Sequence, residues 1–500
     1  MNREGRQVHV GARCRSHASL AMSTVRRPLG RNRRFALRKT PGSDLFDPPV
    51  RFRSLLIATG ALAIGVNAAA QRAPLVVSDV TVIDATGAAA RPHMTVMVDG
   101  GRIIAVDSAP RLTPPRDATI IDGRGKFLIP GLWDMHVHLA KAGASSLQLF
   151  IANGVTSVRD MGGDFAVIAQ WRSEIASGRR VGPRIRSPGP ILESAARVRH
   201  MKEKGTVEPV DRFRAPVGDT ADARRVVDSV ARLGVDFIKV RTATSAETYH
   251  AIATATRRAG LTFAAHGDIV PTNEMLRAGQ RSIEHAIYPS LQKQDSAARA
   301  QLIRRLAAAH VAVVPTMVNY YQWLNVPPSD ARRIIDDSLG RIDPRRRYVT
   351  GYLLADWKEQ LAERGTVKDA LIRRFFLTRV YNGVLRDMQE MRRAGVRILP
   401  GTDVGVALEY PGFSLRDELG YFVEKLGMTP LEALVSATRA AAEFSGMQDS
   451  LGTIERGKLA DLVLLDADPL TDIRNVGRIE AVIARGELYD RAKLSSLLAR

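Results

Sequence analysis

The stretch Gly131-Leu132-Trp133-Asp134-Met135-His136-Val137-His138 decides the fold. It reads as a short apolar strand ending in two histidines one residue apart. Side chains alternate across a strand, so His136 and His138 face the same side. Two neutral imidazoles converging from one strand end make half of a metal site. An H-x-H pair alone is a weak signal, because two unrelated polar residues produce the same pattern. Its weight comes from residues further down the chain.

Each further candidate ligand stands at the end of an apolar, strand-like run. Val235-Asp236-Phe237-Ile238-Lys239-Val240 carries a lysine near the end of a buried strand. Leu261 to Ala265 leads into His266, Ser282-Ile283-Glu284 into His285, and Val396 to Pro400 into Gly401-Thr402-Asp403. Helix-like segments such as Ala221 to Leu233 and Ala246 to Arg258 lie between the runs. This alternation predicts a parallel sheet with crossover helices. Eight such units close into a (β/α)8 TIM barrel, whose C-terminal strand ends carry function. All six residues fall there. Taken singly, Lys239 reads as a surface lysine, His266 and His285 as satisfied core histidines, and Asp403 as a loop cap. Together those readings require six coincidences at one barrel face.

This set resembles the amidohydrolase superfamily, in its imidazolonepropionase-like and Xaa-Pro dipeptidase-like branch. The resemblance runs from roughly Val76 to the C-terminus. It includes Pro130-Gly131, Gly154-Val155-Thr156-Ser157-Val158-Arg159-Asp160 and Gly279-Gln280-Arg281-Ser282-Ile283-Glu284-His285. Near the end it takes in Met428-Thr429-Pro430-Leu431-Glu432-Ala433-Leu434 and Gly457-Lys458-Leu459-Ala460-Asp461-Leu462-Val463-Leu464-Leu465. These motifs specify the superfamily and not a substrate.

The resemblance implies two divalent metal ions, with zinc the expected ion. His136, His138 and Asp403 would hold the more buried ion, and His266 and His285 the more exposed one. Lys239, carboxylated on its amine, would bridge both. Physics is consistent with this, since only a neutral amine takes up carbon dioxide and burial near cations depresses a lysine pKa. A bridging hydroxide would attack a substrate carbonyl, and Asp403 would carry its proton to the leaving nitrogen. Tyr288, His200 or Arg241 would serve as oxyanion or substrate donor. Single-metal deaminases of the superfamily carry a glutamate three residues after the fifth-strand histidine. Here His266 is followed by Gly267-Asp268-Ile269, which favours the two-metal hydrolase.

The chain also departs from the family pattern. Related chains carry a glycine pair after the lysine strand, where this one has Arg241-Thr242-Ala243-Thr244. Many carry a histidine where this chain has Arg416-Asp417-Glu418-Leu419. The loop from Gly189 to His200 is unusual and basic. Such loops shape the substrate pocket of a barrel.

Five hundred residues with 45% hydrophobic content fit a large globular core. The first 53 residues hold thirteen Lys/Arg against three Asp/Glu, about half of the net charge of +21. The apolar run Ser54 to Val66 comes next, with Ala68-Ala69-Ala70 after it. A basic flank, an apolar core of this length and an A-x-A ending predict a secretory signal cleaved near Ala70. The alternative is an uncleaved anchor, although the run is short for a span of about 20 residues. The expected location is therefore secreted or periplasmic. The single cysteine, Cys14, precedes the run, so the mature chain has no disulfide framework. The remaining basic residues are dispersed, which argues against nucleic acid as a partner.

Residues 74–127 and 450–490 read as short strands and predict a composite β-sandwich, with the barrel between them at 128–449. A long helical, charged insertion at 319–393 carries Tyr320, Tyr321, Trp323, Tyr348 and Tyr352. It reads equally as a lid and as a bracing hairpin. The functional expectation is a hydrolase that cleaves the C–N bond of a small substrate such as an N-acyl amino acid, a dipeptide-like molecule or a cyclic amide. Lactone, ester or phosphotriester hydrolysis on the same centre is the enzymatic alternative. A metal- or ligand-binding protein without catalysis is the non-enzymatic one. A homo-oligomer is left open.

Overall fold

The computed structural model describes residues 73–499, apart from 109–110, 286–290, 292 and 365–369. The N-terminal extension with its apolar run, and Tyr288, lie outside the described residues. No helix among the described residues is long and apolar enough to cross a membrane.

Eighteen strands are described. The first five are β1 (Leu75–Val82), β2 (Arg91–Asp99), β3 (Arg102–Ser108), β4 (Thr119–Asp122) and β5 (Phe127–Pro130). Then come β6 (Leu132–Val137), β7 (Val155–Asp160), β8 (Arg184–Arg186), β9 (Ile191–Ser194) and β10 (Arg214–Val217). They are followed by β11 (Ile238–Val240), β12 (Phe263–His266), β13 (Ser282–Glu284), β14 (Ala312–Val314) and β15 (Arg397–Ile398). The tail supplies β16 (Leu462–Leu465), β17 (Ile479–Ala484) and β18 (Glu487–Tyr489).

The middle of the chain builds two parallel sheets, β6-β7-β8 and β10-β9-β11-β12-β13-β14-β15. Backbone hydrogen bonds join them at both ends. Asp236 N donates to Ser187 O (2.9 Å), tying the end of β8 to the start of β11. Met135 N donates to Pro400 O (2.9 Å) and Asp403 N to His136 O (2.7 Å), returning the chain after β15 to β6. These bonds bring the histidine strand and the aspartate segment side by side.

The crossover helices arise from their sequences. Thr220–Ala231 buries Ala223, Val226, Val227 and Val230, one apolar stripe at helical spacing, and Asp219 caps it by accepting from Asp222 N. Ala246–Arg258 is capped in the same way by Ser245. The basic segment expected as a loop after the third strand is regular instead. Ile191–Ser194 forms β9 against β10 and β11, and Ala195–Lys204 is a helix capped by the Ser194 side chain. Polar and basic composition hid a serine cap that starts a helix there.

Strands from both chain ends form one mixed sheet, ordered β18-β17-β16-β5-β1-β2-β3, with β4 beside β1. Alternation along β16 turns Val463 and Leu465 to the main core and Leu462 and Leu464 to a second core shared with β1 and β2. Gly131 connects β5 to β6 and donates to Asp461 O at 2.7 Å. A Cβ on Gly131 would lie 2.1 Å from Thr156 Oγ1, so no larger residue fits this crossing.

The insertion is helical, as expected, with helices Met317–Asn325, Pro328–Asp336, Gly351–Arg364 and Ala370–Arg393. Leu353, Trp357, Leu361, Val384 and Met388 from it join the main core. Trp357 is fully buried and meets Tyr410 edge-on, ring centroids 5.3 Å apart.

Candidate metal centre

Strand β6 is buried on both faces, and its alternation aims Asp134, His136 and His138 the same way. Asp134 accepts from Thr402 Oγ1 (2.6 Å) and Thr402 N (3.0 Å), which fixes the segment leading to Asp403 against β6. His136 is wholly buried, and its Nδ1 lies 2.9 Å from Glu284 Oε2. A proton on Nδ1 leaves the Nε2 lone pair facing Asp403 Oδ1 at 3.4 Å, and that Nε2 has no hydrogen-bond partner. His138 repeats the arrangement with Gly162 O at 3.3 Å from Nδ1 and Asp403 Oδ1 at 3.3 Å from Nε2. Holding one imidazole nitrogen so that the other points inward is how proteins orient a metal ligand.

His285 completes this group, its ring centroid 4.7 Å from that of His136 and its Nδ1 3.8 Å from Asp403 Oδ2. Donor atoms of His136, His285 and Asp403 all lie within 4.8 Å of one another. Asp403 also accepts from Asn319 Nδ2 at 3.3 Å. Lys239 on β11 is 1% exposed, and its Nζ has no hydrogen-bond partner. His266 lies across from these groups, its ring 4.7 Å from that of His285, and its Nδ1 is 2.7 Å from Arg241 Nη1.

Burial sets the protonation of the group. It pushes His136 down to about 4 and His285 down to about 3, and takes His266 well below its ordinary value. All three rings are therefore neutral at physiological pH, the form that can ligate a metal. Burial lowers Lys239 to about 7, so a large fraction of its amine is neutral. Burial works to raise Asp403, but the imidazoles of His285, His136 and His138 outweigh it and hold the carboxyl below its usual range.

The six sequence-derived residues thus converge, with one qualification of their pairing. His285 sits with His136 and Asp403, whereas His266 is engaged by Arg241. His200, on the helix Ala195–Lys204, lines the same cavity of about 690 Å3, as do His138, Lys239, Arg241, His266, His285 and Asp403. The insertion reaches this space, for Asp356, Glu359, Gln360 and Glu363 of the helix Gly351–Arg364 form part of its wall.

Sequence reasoning missed the support beneath the histidines. Arg159 Nη2 lies 2.8 Å from each Glu284 oxygen, its Nε donates to Met135 O (2.7 Å), and Nη1 donates to Ser282 Oγ (3.0 Å). Burial works to raise Glu284, but Arg159 and His136 outweigh it and keep it ionised. The signal lay in Glu284 itself, a carboxylate within an otherwise buried strand that requires a charged partner. Arg159→Ala leaves that carboxylate uncompensated and should lower stability by about 3–5 kcal/mol. Adding Glu284→Gln should recover much of the loss in urea unfolding. A single variant as stable as the wild type would exclude this role.

Residues 127–489 match the model of the amidohydrolase family. The imidazolonepropionase of Pseudomonas savastanoi pv. phaseolicola is 26% identical over 395 residues, covering 76% of this chain and 89% of that protein. An ochratoxinase of Aspergillus niger is 26% identical over 385 residues, covering 70% and 72%. The crystal structure of a Xaa-Pro dipeptidase with methionine bound in its active site superposes with a TM-score of 0.62 at 23% identity. It covers 84% of this chain and all of the other, a likeness that concerns the fold. These similarities imply a TIM-barrel arrangement for the α/β region described above. The chain belongs to the amidohydrolase family, whose members are metal-dependent hydrolases of carbon–nitrogen bonds.

Proposed function

We propose that this protein hydrolyses the amide bond of a small substrate, an N-acyl amino acid, a dipeptide-like molecule or a cyclic amide, at a centre of two divalent ions. The observation that carries this reading is the convergence of His136, His138, His285 and Asp403 on one end of the cavity beside the unpartnered amine of Lys239. A buried amine and a buried imidazole Nε2 with no hydrogen-bond partner are costly unless something occupies the space between them. Neutral imidazoles and an ionised carboxylate are the donor set that zinc or a similar ion takes. His136, His138 and Asp403 would hold one ion, His266 and His285 the other, and Lys239, carboxylated, would join both. For the second ion His266 must give up its contact with Arg241. Such ions supply an activated water at neutral pH and polarise a carbonyl.

The remaining chemistry belongs to side chains. An Asp403 oxygen takes a proton from the attacking water and delivers it to the leaving nitrogen as the C–N bond breaks and a C–O bond forms. Asn319 orients the other Asp403 oxygen. Glu284 and Gly162 O hold His136 and His138 in the tautomers that keep each Nε2 turned toward Asp403. The helix Gly351–Arg364 walls part of the cavity with Asp356, Glu359, Gln360 and Glu363, and by narrowing it would limit bulk water and strengthen electrostatic interactions inside. In this reading the parallel strands β6 to β15 close as one barrel over residues 128–449, and the composite sheet of 74–127 and 450–490 folds over as a sandwich. The same centre accommodates lactones and phosphotriesters in principle, so these belong in the substrate screen.

Purified protein should hold close to two divalent ions per chain by elemental analysis, and a chelator should abolish turnover until metal is restored. Asp403→Asn should reduce kcat by about 10²–10⁴-fold or more, the range of a positioned acid–base group. Lys239→Ala should lose one ion and most activity, with partial rescue by acetate or propionate filling the vacated space. Two retained ions and full turnover in the untreated Lys239 variant would sink the bridging role.

The apolar run Ser54 to Val66 with its Ala68-Ala69-Ala70 ending supports export. Intact mass should place the mature N-terminus at or near Gln71, in the periplasmic or secreted fraction. Soluble cytoplasmic protein that retains residues upstream of Ser54 would overturn this location.

A further inference from the structure

The charges around the cavity do not cancel evenly. Arg197 faces Glu193, and Arg214 is held between Glu193 and Glu208. Lys141 lies between Glu208 (3.3 Å) and Asp356 (3.1 Å), and Lys204 pairs with Glu363. Arg241 differs from these four. Its Nη1 contacts the His266 ring, and among the described residues no carboxylate stands within ion-pairing distance of its guanidinium. Glu193, on the neighbouring strand β9, is already engaged by Arg214, Arg197 and Thr242 Oγ1.

A guanidinium does not shed its proton in a protein, so its charge must be answered some other way. Arg241 is half-buried, so water answers its charge only in part, and a cation so placed without a paired carboxylate favours an anion. The backbone holds Arg241 in place, with its N–H donating to Leu192 O at 2.9 Å directly after the β11 strand that carries Lys239. The side chain lines the cavity beside Asp403, His266 and His285. Its planar fork of N–H groups matches the two oxygens of a carboxylate. The cavity, about 690 Å3, is of the size that encloses a small ligand.

We infer that Arg241 binds the carboxylate of the substrate, so the amide cleaved belongs to an N-acyl amino acid or a dipeptide-like molecule and not to a neutral or cyclic amide. The inference rests on the amide-hydrolase reading above and narrows it. On this account Arg241, released from the His266 ring once that imidazole turns to its ion, is free to meet the substrate anion.

The test compares acids with their uncharged counterparts on the metal-loaded protein. The probes are N-acetyl-L-leucine, N-acetyl-L-phenylalanine and N-acetyl-L-proline, each beside its carboxamide. Binding is read as thermal stabilisation across a concentration series, and turnover as released amino acid. The wild type should bind at least one acid about tenfold or more tightly than its carboxamide, as a charge-assisted bidentate contact provides. Arg241→Met should remove that preference and raise KM more than it lowers kcat, with metal content unchanged. Arg241→Lys should retain part of the preference, and it carries the comparison should the methionine variant not fold. A wild type that binds no acid better than its carboxamide overturns the inference, whether or not it cleaves either. So does a methionine variant that keeps the preference. Acid preference without any released amino acid leaves Arg241 assigned and refutes the hydrolase reading instead.

Discussion

The centre depends on one buried ion pair. Arg159 and Glu284 are both nearly inaccessible to solvent, and each needs the other, because a lone charge at that depth would destabilise the fold by several kcal/mol. Besides Arg159, Glu284 accepts from Ser282 Oγ on its own strand and meets His136 Nδ1 across the barrel. The electrostatic requirement of the core therefore becomes a geometric requirement on His136. His136 cannot rotate without stripping a partner from Glu284, and Glu284 cannot shift without unpairing Arg159. Three strands, β6, β7 and β13, are tied through this one contact set, so the histidine is as rigid as the sheet beneath it. Rigidity of this kind is what a preorganised site requires.

Backbone strain gathers at the same place. His285, Thr316 and Asp403 take φ values of 63°, 49° and 57°, in the left-handed region that residues with a Cβ avoid. Each costs on the order of 1–3 kcal/mol and persists only where the surroundings fix it. Here they do. His285 N donates to Val314 O, Asp403 N to His136 O, and the His285 ring meets Thr316 Oγ1 at 2.9 Å. The left-handed turn ends each strand-like run abruptly and throws the side chain inward. It is the local reason that residues one step past β13, two steps past β14 and in the segment after β15 reach a common centre.

Much of this is legible in the sequence, for a definite reason. Strand alternation places Asp134, His136 and His138 on one face, and an apolar run before each of Lys239, His266, His285 and Asp403 places all of them at strand ends. Such patterns are local, and local patterns survive reading one residue at a time. What escapes is tertiary. Nothing near Arg159 announces that its partner is Glu284, 125 residues on. Nothing in the charged helix Gly351–Arg364 says that Trp357 anchors it and thereby turns Asp356, Glu359 and Glu363 toward the cavity. The segment Gly189 to His200 looks irregular because it is basic and proline-containing, yet β9 and a serine-capped helix form there. Which histidine sits with which is also out of reach, since spacing along the chain says nothing of ring orientation.

These hidden features are the ones that set specificity. The candidate ligand residues come from strand ends, whereas much of the cavity wall comes from the helix Ala195–Lys204 and from the insertion. Lys204 of that helix pairs with Glu363 of the insertion, and Lys141, just after β6, pairs with Asp356, so the insertion is held to both segments across the cavity. Pairs at the rim are exposed and individually weak, worth about 0–1 kcal/mol. Those deeper, such as Arg214 with Glu208, are shielded from salt and fix the wall where it approaches the centre. A substrate entering here meets a surface whose charges are already satisfied until it reaches Arg241. Discrimination between substrates then falls to the innermost contacts, where water is excluded and a misplaced charge is most costly. A fold written in its strand ends therefore leaves the choice of substrate to the side chains that line its cavity.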